Sequence, residues 1–171
     1  MKAIDTCTDL LTHMEWADAT MWSCIHSCAA AADEEKLHGL LYHLHAGQRA
    51  FFLCWKGQPV EIPKHAEFTD FPALEKWARD GYGEIRAYVE KLDPKSLDRP
   101  IEIPWSKGFE ERFEEKAAPL TLTDTMNQVC LHSSHHRAQV CSYLRALEAE
   151  PPTVDYILWG WLGKPTPSWL T

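Results

Sequence analysis

The sequence lacks the features that mark membrane, secreted and nucleic-acid-binding proteins. No apolar run approaches the roughly 20 residues that a membrane-spanning helix needs. The N-terminus has no basic segment followed by an apolar core, so it is not typical of a signal peptide. The net charge is −8 and the basic residues are scattered, which argues against nucleic acid as a partner. We therefore expect a cytoplasmic protein that binds neither membranes nor nucleic acid.

Paired cysteines, repeats and low-complexity segments are also missing. The six cysteines form no C-x-x-C pair and come without a secretory signal, so a disulfide framework is not expected. Most of them fall within apolar helical patterns, where a free thiol behaves as a small hydrophobic group. With 171 residues, of which 45% are hydrophobic, the chain fits one globular domain spanning residues 1–171.

Apolar residues recur with a helical period in four long stretches of the chain. These stretches cover residues 4–30, residues 34–55 after a predicted cap at Asp33, residues 71–92 after a cap at Asp70, and residues 123–147. The connections from the second helix to the third and from the third to the fourth are long. The pattern predicts an all-α fold, a four-helix bundle with long crossover connections.

Two smaller elements are expected outside these four helices. Between the third and fourth helices, Ile101, Ile103 and Trp105 alternate with polar residues and are followed by Ser106-Lys107-Gly108 and by Phe109 to Phe113. That pattern predicts a small hairpin. A short tryptophan-rich helix is expected at residues 155–162, followed by an extended tail from residue 163 to the C-terminus.

Three histidines lie within five residues of the fourth predicted helix. The inward residues of this helix step alternately by four and three positions, and this rhythm places His136 on the buried face. His132 lies one turn earlier and about 40° round the helix, whereas His135 lies about 100° away. One interpretation is that His132 and His136 are hydrogen-bonded residues of the core. Two inward imidazoles one turn apart are also what a helix offers a metal ion.

The second predicted helix carries two further candidate histidines. His43 and His45 lie on either side of Leu44, each about 100° round the helix from it. Gly47 and Ala50 lie toward the His43 side and would let another helix or a ligand approach there. Periodicity alone leaves open which of the two histidines faces a cavity.

Motifs spread along the chain resemble those of the DinB-like (DinB/YfiT-like) metalloenzyme family. They are Glu15-Trp16-Ala17-Asp18, His43-Leu44-His45-Ala46-Gly47-Gln48, His132-Ser133-Ser134-His135-His136-Arg137-Ala138-Gln139, and Pro151-Pro152 followed by Asp155 and aromatic residues. The order of the motifs agrees, and the resemblance covers nearly the whole chain. It implies a four-helix bundle that binds a divalent metal ion through three histidines.

Carried over by position, the resemblance implies that the metal ligands are His43, His132 and His136, with His45 as the alternative to His43. The ion would be zinc, nickel or iron. Arg137 and Gln139 match the family's ending, and we expect both to be structural and to pair with helix two or the C-terminal segment. Gln48 stands where the family often has an acidic residue, which puts in doubt a carboxylate that would orient a ligand histidine.

Three neutral imidazoles leave a coordination position open, as in catalytic metal sites. A water there would have its pKa lowered toward 7, and a thiol would be deprotonated. The leading hypothesis is a metal-dependent small-molecule enzyme, either a thiol-dependent S-transferase or a hydrolase, with Glu15 or His13 as the nearest internal base. The alternative is a non-catalytic metal-binding or stress-related bundle protein, its site closed by His45 or a carboxylate. The third interpretation is a dimerising bundle with hydrogen-bonded core histidines.

The resemblance implies a small-molecule substrate, and a low-molecular-weight thiol is one candidate because related enzymes use such thiols. A homodimer is expected as well, since tryptophans such as those between Trp159 and Trp169 are enriched at interfaces. Lining the mouth of a pocket would explain these tryptophans equally well.

Overall fold

Four long helices make up most of the protein, whose computed structural model describes residues 3–169. They are α1 (Ala3–Ser27), α2 (Glu35–Trp55), α3 (Phe71–Val89) and α5 (Leu122–Ala146). Shorter elements are α4 (Ser106–Phe113), α6 (Tyr156–Trp161), β1 (Pro100–Ile101) and β2 (Leu120–Thr121). The prediction of an all-α four-helix bundle with long crossovers is confirmed. None of the described helices is long and apolar enough to cross a membrane.

Side-chain caps fix where the long helices begin and end. The Asp70 carboxylate accepts a hydrogen bond from the Ala73 backbone N–H at 2.8 Å, as the predicted cap of α3 requires. Thr121 and Asp124 form a reciprocal capping box at the start of α5. Gly57 follows α2 with a φ of +64°, a conformation that favours glycine. The cap predicted at Asp33 is wrong by one position, because Glu34 precedes the first residue of α2.

The packing of α2 against α5 is the most extensive helix contact, and α1 packs on α5 from the other side. Two buried apolar clusters fill the bundle. One contains Phe52, Trp55, Leu122 and Met126, and the other contains Trp22, Leu41, Leu74 and Val140. On α1, α2 and α5 alike, the residues that separate the two clusters in sequence include buried polar side chains. A polar layer therefore divides the core.

The crossover between α3 and α5 differs from the predicted hairpin. β1 and β2 do form an antiparallel pair, with Pro100 opposite Thr121 and Ile101 opposite Leu120. However, residues 106–113, which were expected to turn and return as a strand, form the helix α4. The rings of Phe109 and Phe113 lie one helical turn apart, with centroids separated by 4.9 Å. The hairpin prediction is therefore wrong in its turn and in its second strand.

The C-terminal segment, residues 151–169, packs back onto α1. The short helix α6 agrees with the prediction, and Trp159 within it is buried with its indole N–H donating to the Pro165 carbonyl at 3.0 Å. Trp169 donates its indole N–H to the Glu15 carboxylate at 3.0 Å. Trp161 is 77% exposed. The tail tryptophans therefore differ in environment, and those at 159 and 169 anchor the segment.

Candidate metal centre

Three imidazoles converge at the seam between α2 and α5. The ligand nitrogens of His43, His132 and His136 all lie within 4.8 Å of one another. The Nε2 atoms of His132 and His136 are 3.1 Å apart, and the rings of His43 and His136 have centroids 4.5 Å apart. The one-turn spacing of His132 and His136 on α5 brings both rings to the same side of the helix. These are the three residues that the resemblance selects.

The spacing of the three nitrogens suits a metal ion. Zinc binds histidine nitrogen at about 2.0–2.1 Å, so two ligands in tetrahedral geometry are about 3.3 Å apart. The His132–His136 separation of 3.1 Å matches this value, and the ligand nitrogen of His43 lies within 4.8 Å of both. Within residues 3–169, no other histidine, cysteine or carboxylate joins the group. A metal ion held here would keep a position open to solvent or substrate.

The three rings differ in exposure, and the pKa values of His132 and His136 are lowered. His43 is exposed, His132 is half-buried and His136 is buried, so the centre opens to solvent on the α2 side. Burial lowers the pKa of His132, and the neighbouring His136 and His43 lower it further. Burial also lowers the pKa of His136, although its hydrogen bond to Gln139 acts in the opposite direction. A histidine must be neutral to bind a metal ion. The lowered pKa values of His132 and His136 favour the neutral rings near pH 7.

Gln139 orients His136. The amide oxygen of Gln139 lies 2.8 Å from Nδ1 of His136, and because that oxygen only accepts, Nδ1 carries the proton. The remaining nitrogen, Nε2, therefore has its lone pair directed at His132. The same amide donates from Nε2 to the ring of His135 at 3.2 Å. Carboxylates and backbone carbonyls often orient metal-binding histidines in this way, and here a side-chain amide does so.

Gly47 allows α2 to approach α5 closely at this point. A Cβ atom added at Gly47 would lie 3.3 Å from Cδ2 and 3.4 Å from Nε2 of His132. That separation is tighter than ordinary van der Waals contact. The small residue therefore leaves the space that the His132 ring occupies, as the sequence pattern around His43 suggested.

His45 faces the core and takes no part in the centre. Its Nδ1 donates to the Gln48 amide oxygen at 2.9 Å, and its Nε2 accepts from the Trp22 indole N–H at 3.0 Å. Burial lowers its pKa, although the Asp18 carboxylate opposes the effect. With both nitrogens occupied, His45 is a hydrogen-bonded core histidine. The ambiguity between His43 and His45 is resolved by their surroundings, since only His43 contacts the other two rings.

The two residues considered as internal bases lie in other contacts. Glu15 is buried and pairs with Arg86 and Trp169. The Nε2 of His13 lies 2.8 Å from the Val154 carbonyl oxygen, and its ring contacts Tyr156 and Trp159. Both residues hold the C-terminal segment or α3 against α1.

Arg137 has a different partner from the one expected. From the resemblance, Gln139 and Arg137 are both expected to pair with helix two or the C-terminal segment, but Gln139 contacts histidines of its own helix. Arg137 also differs from the expectation. Instead its guanidinium donates to Asp18 of α1 at 2.8 Å, and both side chains are buried. The helical phase explains the error, because Arg137 lies 100° beyond His136 and thus faces α1 rather than α2.

The architecture and the three imidazoles define a class: helical bundles with a histidine cluster between the second and the last long helix. Among solved structures, the chain is similar to the crystal structure of a DinB-like protein from Bacillus cereus ATCC 10987. The two chains are 14% identical, the match covers 86% of this chain and 91% of the other, and the TM-score is 0.50. The protein therefore has a DinB-like fold, as predicted. No protein-family model and no curated protein matches it by sequence.

Proposed function

We propose that the protein is a metal-dependent small-molecule enzyme in which His43, His132 and His136 bind one divalent ion. The observation that carries this proposal is the convergence of three ligand nitrogens within 4.8 Å, with no fourth protein ligand among the described residues. Three imidazoles with an open position are the arrangement of catalytic sites, whereas structural sites are closed by a fourth ligand. Imidazole ligands suit zinc, nickel or iron.

The chemistry of this site requires a nucleophile from outside the protein. A divalent ion bound there would lower the pKa of a water or a thiol that occupies the open position. No cysteine belongs to the histidine group, and burial raises the pKa of Cys130, on the same helix, to about 12. We therefore infer a hydrolase that uses water or an S-transferase that uses a low-molecular-weight thiol.

An apolar cleft near the C-terminal end of α2, about 12 Å along the helix from His43, suits the apolar part of a small organic substrate. His43, Gly47 and Phe51 lie at intervals of four residues along α2, which places them on one stripe of the helix. The ring of Phe51 contacts Trp105 edge-on, with centroids 5.2 Å apart. Beyond Trp105 lies a cleft of about 490 Å³ lined by Ile103, Phe109 and Pro119, among others. A cleft of this size suits a small molecule with an apolar portion.

We also expect a homodimer. Ile157, Trp161 and Leu162 of the C-terminal segment are exposed apolar residues, with Trp161 exposed to 77%. Exposed aromatic residues of this kind are enriched at interfaces. Sedimentation equilibrium of the full chain tests the expectation directly.

The alternative function is a non-catalytic metal-binding or stress-related protein. That alternative requires a fourth protein ligand to close the site, and His45 was one candidate. Since both nitrogens of His45 are hydrogen bonded within the core, it is not available for this purpose. The observation favours the open site and hence the enzyme.

A metal titration of the purified protein tests the proposal. Chelator competition with Zn²⁺, Ni²⁺ and Fe²⁺ should give one ion per chain. The variants His43→Ala, His132→Ala and His136→Ala should each weaken binding by more than the about 10–100-fold that the loss of an outer hydrogen-bond partner costs. His26→Ala, which removes an exposed histidine of α1, serves as the control and should bind as the wild type does.

Two experimental results distinguish the proposed enzyme from a protein without a metal centre and from a non-catalytic metal-binding protein. Absence of stoichiometric metal binding, or equal binding by the three variants, would overturn the metal centre. If the metal binds, the visible spectrum of the Co²⁺-substituted protein should change when small thiols are added, because a thiolate enters the open position. A spectrum that no thiol changes, together with no hydrolysis of activated esters or amides, would favour the non-catalytic alternative.

A further inference from the structure

A buried carboxylate lies at the centre of the polar layer that divides the core. Asp18 of α1 is 1% exposed and accepts hydrogen bonds from three other helices. Arg137 of α5 donates to its Oδ1 at 2.8 Å, and Gln48 of α2 donates to its Oδ2 at 2.7 Å. The Tyr82 hydroxyl of α3 donates to the same Oδ2. One carboxylate therefore joins all four long helices.

The hydrogen bonds of this layer run in one direction. The Trp22 indole donates to His45, His45 donates to Gln48, and Gln48 donates to Asp18. The Gln48 amide nitrogen also lies 3.0 Å from the Ser133 hydroxyl oxygen of α5. We name Asp18, Gln48, Tyr82, Ser133 and Arg137 the Asp18 network. Arg137, Tyr82 and Gln48 donate to Asp18, whereas Ser133 is joined to the carboxylate through Gln48, from which its hydroxyl oxygen accepts.

The Asp18 network contacts α5 at two positions whose spacing equals that of the two candidate ligands on the same helix. Ser133 and Arg137 are separated by one helical turn, as are His132 and His136, and each follows a histidine by one residue. Successive residues differ by about 100° round a helix, so the network pair faces the core while the histidine pair faces the seam. A rotation of α5 about its axis would break both network contacts and move both histidines together.

On α2, too, a network residue stands next to a residue that contacts a candidate ligand. Gln48 belongs to the network, and Gly47, one residue earlier, faces the His132 ring. His45, which donates to Gln48, lies two residues after His43. On α5 the network side chains directly follow the candidate ligands, and on α2 Gln48 lies five positions after His43 and next to Gly47, so both helices that carry the histidines are held by the Asp18 network close to the centre.

We propose that Asp18 is a positioning residue for the metal centre: through Arg137, Ser133 and Gln48 it sets the rotation of α5 against α2 at which His43, His132 and His136 converge. The inference rests on the proposed metal function and extends it, because it assigns a role to residues that do not themselves bind the metal ion. A buried ion pair is itself a weak source of stability, because replacing such a pair by apolar residues of similar volume is often neutral or stabilising. Positioning gives a reason for a charge in the core.

The double variant Asp18→Leu with Arg137→Met tests this role. It removes both charges at nearly constant volume, and Gln48 and Tyr82 keep their hydrogen bond to each other, so the fall in the free energy of unfolding is limited to the loss of Asp18 as their acceptor. The dissociation constant for Zn²⁺ should nevertheless rise at least tenfold, within the range found when partners behind metal ligands are removed. The Co²⁺ spectrum of the double variant should also differ in band position and intensity, since it reports ligand geometry.

A matched control separates positioning from a general loss of stability. Leu122→Ala truncates a fully buried residue of the same helix, ten positions before His132 and outside the Asp18 network. This variant should be less stable than the wild type but should bind Zn²⁺ with an unchanged dissociation constant while folded. Tyr82→Phe and Ser133→Ala each delete one hydroxyl and no charge, and each should raise the dissociation constant several-fold.

The outcomes are distinct for the two proposals. If the wild type binds no metal, the proposed function and this inference both fail. If the wild type binds metal and the double variant, Tyr82→Phe and Ser133→Ala bind it equally well, the metal function stands and the positioning role is overturned. Should the double variant fail to fold, the two hydroxyl variants decide the question, with unchanged dissociation constants counting against the inference.

Discussion

At the scale of single residues, the partner of each imidazole nitrogen decides what a histidine can do. His45 and His136 carry the proton on the same nitrogen, since Nδ1 of each donates to a glutamine oxygen. They differ in what meets Nε2. In His45 this atom accepts from the Trp22 indole, whereas in His136 it lies 3.1 Å from the Nε2 of His132. The first arrangement is closed by the protein, and the second is open to a metal ion.

Gln139→Ala should weaken metal binding without affecting the fold. The substitution removes the acceptor that keeps the proton on Nδ1 of His136 and fixes the orientation of the ring. We expect the dissociation constant for Zn²⁺ to rise about 10–100-fold. Chelator competition measures the change, and circular dichroism should show no loss of helix because Gln139 is exposed.

Two further variants define the specificity of this effect. Gln139→Glu keeps an acceptor at the same place and should preserve the affinity. Gln58→Ala replaces an exposed glutamine in the loop after α2, fifteen positions from His43, and should have no effect. An unchanged dissociation constant in Gln139→Ala would show that ring orientation does not depend on this hydrogen bond.

The sequence predicted part of the candidate site, and the limit has a physical origin. The helical period separates His132 and His136 from His135, because side-chain direction along one helix follows from spacing alone. It does not separate His43 from His45, which lie symmetrically about Leu44. What distinguishes them is the Trp22 indole on another helix, a contact between residues 23 positions apart that no local pattern contains. Gln139 was detectable, since a residue three positions from a ligand histidine lies on its side of the helix.

At the scale of elements, α2 combines the candidate metal ligand His43 with a glycine that weakens the helix. Gly47→Ala should raise the free energy of unfolding by up to about 1 kcal/mol, because alanine is the better helix former. The added methyl group would lie 3.3 Å from Cδ2 of His132, so the ring must shift by a few tenths of an ångström. We therefore expect weaker Zn²⁺ binding in a protein that is as stable as the wild type or more so.

Gly39→Ala is the matched control on the same helix. A Cβ atom at Gly39 would lie 3.7 Å from its nearest neighbour, Cε1 of His65, which is ordinary contact. The gain in helix stability should appear in Gly39→Ala with no change in metal affinity. Thermal unfolding and chelator competition on both variants check the comparison. Equal affinity in the two variants would show that Gly47 serves only the packing of α2 against α5.

The crossover between α3 and α5 shows why elements without a long apolar period are hard to assign. Ile101, Ile103 and Trp105 alternate as strand residues do, and β1 does begin the segment. Its partner strand, however, starts nineteen residues after Ile101, at Leu120, and α4 intervenes. In the short stretch around Phe109 and Phe113, the strand and helix periods are both compatible with the apolar residues. Tertiary contacts select the helix.

At the scale of the whole molecule, a polar layer lies between the two large apolar clusters of the bundle. The four long helices were predictable because each buries a continuous apolar stripe, and the stripe is visible in sequence. The polar layer was not, since Asp18, Gln48, Tyr82 and Arg137 each resemble a surface residue until the four helices meet. The same meeting point anchors α5 opposite the histidines. Fold and candidate site therefore share one set of constraints.

The docking of the C-terminal segment on α1 should make the stability of the whole protein depend on pH through His13. Burial is the largest influence on His13 and lowers its pKa, whereas its hydrogen bond to the Val154 carbonyl acts the other way. Above the unfolded pKa of about 6.5, both states are neutral and His13 contributes no pH dependence. As the pH falls through that value, the unfolded chain takes up a proton that the folded protein resists, so the free energy of unfolding decreases. The decrease levels off below the folded pKa.

His13→Gln removes this titration while keeping a donor for the Val154 carbonyl. Chemical denaturation between pH 8 and pH 5 should therefore show a smaller fall in the free energy of unfolding for the variant than for the wild type. The difference in slope is bounded at about 1.4 kcal/mol per pH unit, the value for one proton. An NMR titration of the His13 ring in the folded protein provides an independent measure of the pKa. Parallel stability curves for the two proteins, or a ring pKa at or above the unfolded value, would contradict the account, because a docked C-terminal segment is what keeps His13 from water.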